Sequence, residues 1–201
     1  MRKLKLQVQT SIDGFIADKN GKTDWMVWNW GPSWSWDNEL KKYFTNLTNS
    51  VDTILLSRKM AEEGFINHWT DVSNDRTNPQ SPFAKAITAA RKVVFTKTLH
   101  QSEWPNTGLA QGDIVTEIHA LKNQPGKDII VYGGATFVSS LIKAQLIDEF
   151  YFFINPTILG TGMTIFKDIT DAQHIKPVYS KPFTCGVTVS CYKHVPPDLQ
   201  A

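Results

Sequence analysis

Asp128-Ile129-Ile130-Val131-Tyr132-Gly133-Gly134-Ala135-Thr136 is the stretch whose reading decides the fold. The apolar run is too short for a buried helix and reads as a strand over 128–132. Two glycines stop it, and a helical pattern over 135–144 begins at once. A strand that turns directly into a helix is half of a parallel strand–helix–strand unit. Glycine also lets an anion approach the backbone where the helix N-terminus can receive it. This turn is not the dinucleotide G-x-G-x-x-G fingerprint, because the third glycine is missing. A tight structural turn remains the other reading of it.

Outward from this turn the alternation repeats. Residues 3–10 read as an alternating strand with Leu4, Leu6 and Val8 on one face. Asp37 opens a helix over 37–47, followed by a short buried strand over 51–56 and a helix over 57–65. The polar, Pro-containing segment 67–82 reads as loop, then a helix runs over 82–90 with Pro82 at its first turn. Strands follow at 92–96 and 109–111, a helix at 113–123 with Ile114, Ile118 and Leu121 on one face, and a strand at 149–154. The tail, 178–195, reads as two β-like runs separated by Lys181-Pro182, an antiparallel hairpin. The pattern predicts a single domain over 1–201 of the α/β class. It should have a mixed, mainly parallel central sheet, flanking helices and a C-terminal antiparallel hairpin.

Composition narrows the function classes. The 201 residues are 41% hydrophobic and 20% charged, an ordinary globular balance. Lys plus Arg number 21 and Asp plus Glu 19, a net charge of +2 that offers no bulk basic surface for nucleic acid. No run of about 18 apolar residues is present to span a membrane, and the first ten residues show no signal-peptide core. Cys185 and Cys191 stand in one strand-like run, too far apart for a disulfide, which predicts a reduced, cytoplasmic protein. The histidines are scattered, without metal-ligand spacing.

In parallel sheets ligands bind beyond the carboxyl ends of the strands, so those residues carry the functional reading. Ser57-Arg58-Lys59 sets two cations at a helix start, either an anion site or a solvated basic turn. Thr96-Lys97 sets a hydroxyl beside a cation, suited to phosphate or simply a polar turn. Gly133-Gly134-Ala135-Thr136 is the third such turn. Together they suggest a phosphorylated nucleotide more strongly than any one alone. Trp25, Trp28, Trp30, Trp34 and Trp36 place five of the seven tryptophans in one loop. That loop either packs on itself or offers a stacking surface.

Several of these motifs, read together and in order, resemble the dihydrofolate reductase superfamily. Within it the chain is similar to the reductase (RibD C-terminal) domain of bacterial riboflavin biosynthesis. The residues that carry the resemblance are Ser11-Ile12-Asp13-Gly14-Phe15-Ile16-Ala17, Gly21-Lys22-Thr23-Asp24-Trp25, Leu55-Leu56-Ser57-Arg58-Lys59, Val131-Tyr132-Gly133-Gly134-Ala135-Thr136 and Asn155-Pro156-Thr157-Ile158-Leu159-Gly160-Thr161-Gly162. The resemblance implies NADPH as cofactor and hydride transfer to a small heterocyclic or pyrimidine-like substrate, as in 5-amino-6-(5-phosphoribosylamino)uracil reductases. It places Ile16, Ala17, Thr23 and Trp25 beside the nicotinamide, and Ser57, Arg58, Lys59, Thr96 and Lys97 around the adenosine phosphates. Gly133, Gly134, Ala135 and Thr136 fall under the pyrophosphate. A homodimer is also implied. For the proton that completes reduction, Asp13, Asp24 and Tyr132 are the candidates, besides an ordered water.

The chain departs from that family at the substrate. Tyr132 stands where the riboflavin enzymes carry an acid, and Lys41 and Lys42 are the first helix's only cations in place of phosphate-binding arginines. No H-x-E with P-C-x-x-C, the deaminase signature of that pathway, occurs. A non-catalytic nucleotide-binding protein of the same fold is therefore the alternative, as is a dihydrofolate reductase. Counting back from Ser57, however, puts Leu40 where folate enzymes carry their pterin-binding acid and Phe44 at the neighbouring aromatic. Asp37 and Glu39 could substitute only with a shift of register.

Overall fold

The computed structural model describes residues 1–195, so 196–201 of the expected domain lie outside the described residues. The elements run β1 (Leu4–Thr10), β2 (Ala17–Asp18), α1 (Asn38–Asn49), β3 (Val51–Ser57), α2 (Arg58–Glu62), α3 (Phe65–Asn74), α4 (Ser81–Ala89) and β4 (Arg91–Phe95). They continue with β5 (Thr107–Ala110), α5 (Ile114–Asn123), β6 (Asp128–Val131), α6 (Ala135–Lys143), β7 (Glu149–Ile154), β8 (Gly162–Met163), β9 (Ile175–Pro182) and β10 (Thr188–His194). Eight strands form one sheet in the order β5-β4-β3-β6-β1-β7-β10-β9. Pairs from β5 through β7 are parallel, and β10 runs antiparallel to both β7 and β9. This is the mainly parallel sheet with an antiparallel edge that the patterning predicts.

β1 explains how the site face arises. Every one of its residues is buried, because helices cover both faces of a parallel sheet. Alternation sends Leu4, Leu6 and Val8 into a core with Ile118, Val131 and Leu141. It sends Lys5, Gln7 and Gln9 to the opposite face, where Trp28, Trp36, Phe44 and Tyr132 form a second, aromatic core. Lys5 is neutralised by Asp128 at 2.9 Å and donates to the Ser50 hydroxyl at 2.9 Å. Gln9 donates to Trp28 O at 2.8 Å and accepts from Asn155 Nδ2 at 3.3 Å. Asn155 Oδ1 in turn accepts from Val27 N at 2.9 Å. The Trp-rich loop is thereby pinned to the ends of β1 and β7.

Four features correct or extend the sequence reading. The segment 67–82 is not one loop: α3 ends only at Asn74, and α4 begins at Ser81. Ile66 and Trp69 are buried and Val72 packs behind them, a helical stripe that surrounding polar residues obscured. The helix expected over 57–65 is broken at Gly64, φ 99°, into α2 and α3. The hairpin turn falls at 183–187 rather than at Lys181-Pro182. β9 is an edge strand and tolerates the missing N–H groups of Pro177 and Pro182. Finally, β2 and β8 form a small second sheet, Ala17 pairing with Met163 and Asp18 with Gly162. A Cβ on Gly162 would lie 2.3 Å from Ala17 O, so this approach requires glycine.

Candidate active site

β4, β3, β6 and β1 are consecutive neighbours in the sheet and run parallel. Their trailing residues therefore stand side by side, and the motifs read from the sequence form one row. At the β4–β5 end lies a cavity of about 450 Å³ whose lining includes Arg58, Thr96, Lys97, Asp113 and Phe137. At the β6–β1 end lies a smaller one of about 130 Å³, reached by Gln7, Ile16, Thr23, Trp30, Tyr132 and Gly133. The glycine turn stands between them.

In the larger cavity Lys97 Nζ donates to Gln111 O at 2.8 Å and Gly112 O at 2.7 Å. Arg58 forms a two-pronged contact with Glu62 at 2.9 and 3.0 Å, one turn along α2. Lys59 pairs with Glu63 at 3.5 Å, both side chains largely exposed, and stays outside the cavity lining. Asp113 is an acid that the sequence reading did not anticipate here, brought in by the β5–α5 connection. It caps α5, accepting from Thr116 N at 3.0 Å. The Thr116 backbone N–H and hydroxyl hold its carboxyl below the usual range, and Lys97 adds to that.

At the glycine turn, Gly134 is the N-cap of α6 with φ 91° and no side-chain cap. The first-turn N–H groups of α6 are thus left for an anion. A Cβ on Gly134 would meet Ser57 Oγ at 2.9 Å and Ser57 Cβ at 3.1 Å, which explains the glycine. Thr136 is exposed, and its hydroxyl accepts from Lys167 Nζ at 3.1 Å. Lys167 brings a cation to this turn from 31 residues away in sequence, and no local pattern marks it.

In the smaller cavity Ile16 is held by Met163 O, to which its N–H donates at 2.8 Å. Tyr132 contributes a wall: it is 5% exposed, and its hydroxyl pairs with Thr48 Oγ1 at 3.0 Å within the aromatic core. Burial pushes its phenol well above the ordinary range, so it stays protonated. The family resemblance implies Trp25 beside the nicotinamide; the residues that line this cavity include Thr23, Met26 and Trp30 but not Trp25. Trp25 donates its indole N–H to Lys22 O at 3.1 Å, folding onto its own loop. Ala17 is buried in the β2–β8 pair, next to the cavity wall rather than in it.

Asp13 and Asp24 do not enter the cavity. The Asp13 carboxylate accepts from Gly160 N at 2.6 Å and Leu159 N at 3.2 Å, bracing the loop after β7. The Ser11 hydroxyl and those backbone groups hold it below the usual carboxylate range. Asp24 is exposed on the Trp loop. Leu40 and Phe44 of α1 are fully buried in the aromatic core. Asp37 caps α1 through Leu40 N at 2.8 Å and accepts from Thr184 Oγ1 and Cys185 N, both at 3.0 Å. Glu39 pairs with Lys181 at 2.5 Å. Both acids are committed to the C-terminal hairpin.

Trp30 forms a partition. Beyond its indole lies a further cavity of about 340 Å³ whose lining includes Met60, Phe65, His68 and Trp69. The Trp30 ring lies 5.2 Å from Trp69 and 6.2 Å from Tyr132, and its backbone holds φ 71°.

Over 194 residues the chain is 32% identical to YyaP, an uncharacterized protein of Bacillus subtilis (strain 168), covering 95% of this chain and 94% of that one. The structure matches a diaminohydroxyphosphoribosylaminopyrimidine deaminase/5-amino-6-(5-phosphoribosylamino)uracil reductase from Thermotoga maritima with a TM-score of 0.65 at 17% identity, over 96% of this chain and 57% of that one. A dihydrofolate reductase from Enterococcus faecalis, solved with NADP(H), gives a TM-score of 0.57 at 18% identity over 96% of each chain. These structural matches identify the dihydrofolate-reductase-like fold. The family described as RibD C-terminal domain matches residues 2–189, nearly all of the described chain, and the chain belongs to that family.

Proposed function

We propose that the protein is an NADPH-dependent reductase of a small, pyrimidine-like heterocycle. One observation carries this reading: the row of parallel strand ends aligns a cationic cavity, an uncapped helix N-terminus behind a glycine pair, and an aromatic cavity. The row has the order of an adenosine phosphate, a pyrophosphate and a nicotinamide. Arg58, Thr96 and Lys97 would hold the first, with Ser57 shaping the turn and Lys59 adding charge from outside. Gly133, Gly134, Ala135 and Thr136 would receive the second, aided by Lys167. Ile16 and Thr23 would bracket the third, over Ala17. Bound there, NADPH supplies the hydride.

The protein's own contribution is to orient a planar substrate and exclude water. Asp13 and Asp24 are held outside the cavity and the Tyr132 phenol is tied to Thr48, so in this reading solvent supplies the proton. The same arrangement also favours a second reading, a protein that binds the nucleotide without turnover.

Fluorescence titration with NADPH, followed by assay of NADPH oxidation with fractionated cell extract, separates the readings. Saturable binding that falls at least tenfold in Arg58→Ala/Lys97→Ala, with oxidation by one fraction, is the expected result. Binding without oxidation supports the non-catalytic reading. No binding at millimolar NADPH defeats both.

We also propose a homodimer. Ile12 and Phe166, 60% and 40% exposed, border an apolar cavity of about 460 Å³ between β1, β7 and β10. A cytoplasmic location fits the two free cysteines.

A further inference from the structure

Gln7 is 1% exposed, yet its side-chain Nε2 is buried without a hydrogen-bond partner. A buried donor left unpaired is costly, and native structures retain one where a ligand, an ion or an ordered water completes it or where it has a functional role. Of the polar side chains that line the cavity with Gln7, Gln9 is committed to Trp28 and Asn155 and Tyr132 to Thr48, while the Thr23 hydroxyl stands at the same cavity. Among the described residues three other buried atoms lack partners, on Trp34, Trp36 and Gln80, and none of these residues lines the cavity that Gln7 lines.

Depth separates the two ligands that could reach Gln7. A strand rises about 3.3 Å per residue, so Gln7 lies roughly 7 Å further down β1 than Gln9. A ring entering over Gly133 and Ile16 sits at the strand ends, which leaves Gln7 to whatever lies deeper. Trp30 and Tyr132 provide flat walls there, and the Trp30 indole adjoins the second cavity next to Trp69. Among the described residues, no lysine or arginine lines either cavity.

We propose that Gln7 is the specificity-determining residue for the substrate: its free amide donates to a ring carbonyl of an uncharged, planar heterocycle that carries no phosphate. This rests on the reductase reading and adds the substrate class. It separates the protein from reductases of phosphoribosylated pyrimidines, whose substrate needs cations that these walls do not supply.

The test uses lumazine, a planar bicycle with ring carbonyls, and the pair uridine and uridine 5′-monophosphate, each titrated with and without NADP⁺. Gln7→Leu should weaken lumazine at least tenfold and leave NADP⁺ affinity within twofold. It should also raise the melting temperature of the ligand-free protein by roughly 2–4 °C, because a buried unpaired donor is gone. Uridine should bind at least tenfold more tightly than its monophosphate. Gln7→Met, unbranched and of similar length, should repeat these results if leucine crowds the fold.

Unchanged lumazine affinity in both variants overturns the proposal, as does tighter binding of the monophosphate or no binding of lumazine and uridine to the parent protein. A tenfold loss of NADP⁺ with lumazine unchanged also overturns it and assigns Gln7 to the cofactor's carboxamide. Absence of NADP⁺ binding sinks the reductase reading alone, because the lumazine titration of the cofactor-free protein still decides the role of Gln7.

Discussion

Gly134 combines two demands that no other residue meets. Its φ of 91° disfavours any side chain, and a Cβ would crowd Ser57 from 2.9 Å. Gly134→Ala should cost about 1–3 kcal/mol from backbone strain, read as a lower melting temperature, and should weaken NADPH at least tenfold. An alanine variant that binds normally would take the nucleotide away from this turn. Trp30 also carries a positive φ, 71°, and lines the cavity where Trp25 was expected. Energy transfer from tryptophan to bound NADPH should therefore fall more in Trp30→Phe than in Trp25→Phe, with Trp104→Phe as the control. The reverse ranking would return Trp25 to the cofactor. Asp37 shows how a residue's partners set its titration. Partial burial pushes its carboxyl up, but donors from Leu40, Cys185 and Thr184 outweigh this and lower it to about 2 from 3.8. The folded value is the lower one, so its stabilisation is present above about pH 4 and is lost as pH falls toward 2. Asp37→Ala should cost about 0.5–2 kcal/mol at neutral pH, the worth of an N-cap. The gap from the parent protein should close over that acid range in pH-dependent denaturant melts.

α1 is the element on which the expectation that dihydrofolate is not the substrate rests. Its inward face carries Leu40 and Phe44, both fully buried against Trp28, Trp36 and Phe83. A pterin's amidine-like edge would find no acid there, at about 1–3 kcal/mol for the unpaired group. Steady-state oxidation of NADPH with dihydrofolate should stay well below ~1 s⁻¹, and methotrexate should not bind tightly. Fast turnover abolished by Asp37→Asn would show that α1 shifts register. α3 teaches the complementary lesson about legibility. Its buried residues, Ile66 and Trp69, sit among polar neighbours, so composition hid a helix that periodicity contained. Its Trp69 closes the cavity behind Trp30, so part of the candidate substrate site lay inside a segment that read as loop.

Across the whole molecule, the proposed preference for NADPH rests on charge placed by several elements. Arg58 and Lys97 line the cavity at the β4–β5 end, opposed by Asp113, whose carboxylate is taken up in capping α5. NADPH should bind more tightly than NADH by roughly 10- to 100-fold, the worth of a charge-assisted phosphate contact of about 1.5–3 kcal/mol. Titration at two salt concentrations checks this, since the preference should shrink with ionic strength; equal affinities would defeat it. Sedimentation should give about twice the 22.7 kDa chain mass, and Phe166→Asp should shift it toward one chain. A monomer at all concentrations would remove the homodimer.

Amino-acid order alone determined the alternation of strands and helices, the mainly parallel sheet and the motifs at its strand ends. Those signals are local: period, glycine punctuation and caps act within about ten residues. It also put Ser57, Lys97 and Gly134 at or just beyond the ends of β3, β4 and β6, because a motif at a strand end stays there whatever the strand's neighbours are. Which strands are neighbours was decided only in three dimensions, and with it everything that depends on meeting across the sheet. Lys167 reaches Thr136, Asp113 reaches the Lys97 cavity, Trp30 rather than Trp25 lines the cavity beside Gly133, and the Gln7 side-chain Nε2 is buried without a hydrogen-bond partner. Each of these is a matter of which side chains the packing of distant segments brings together, and no window of sequence contains that packing.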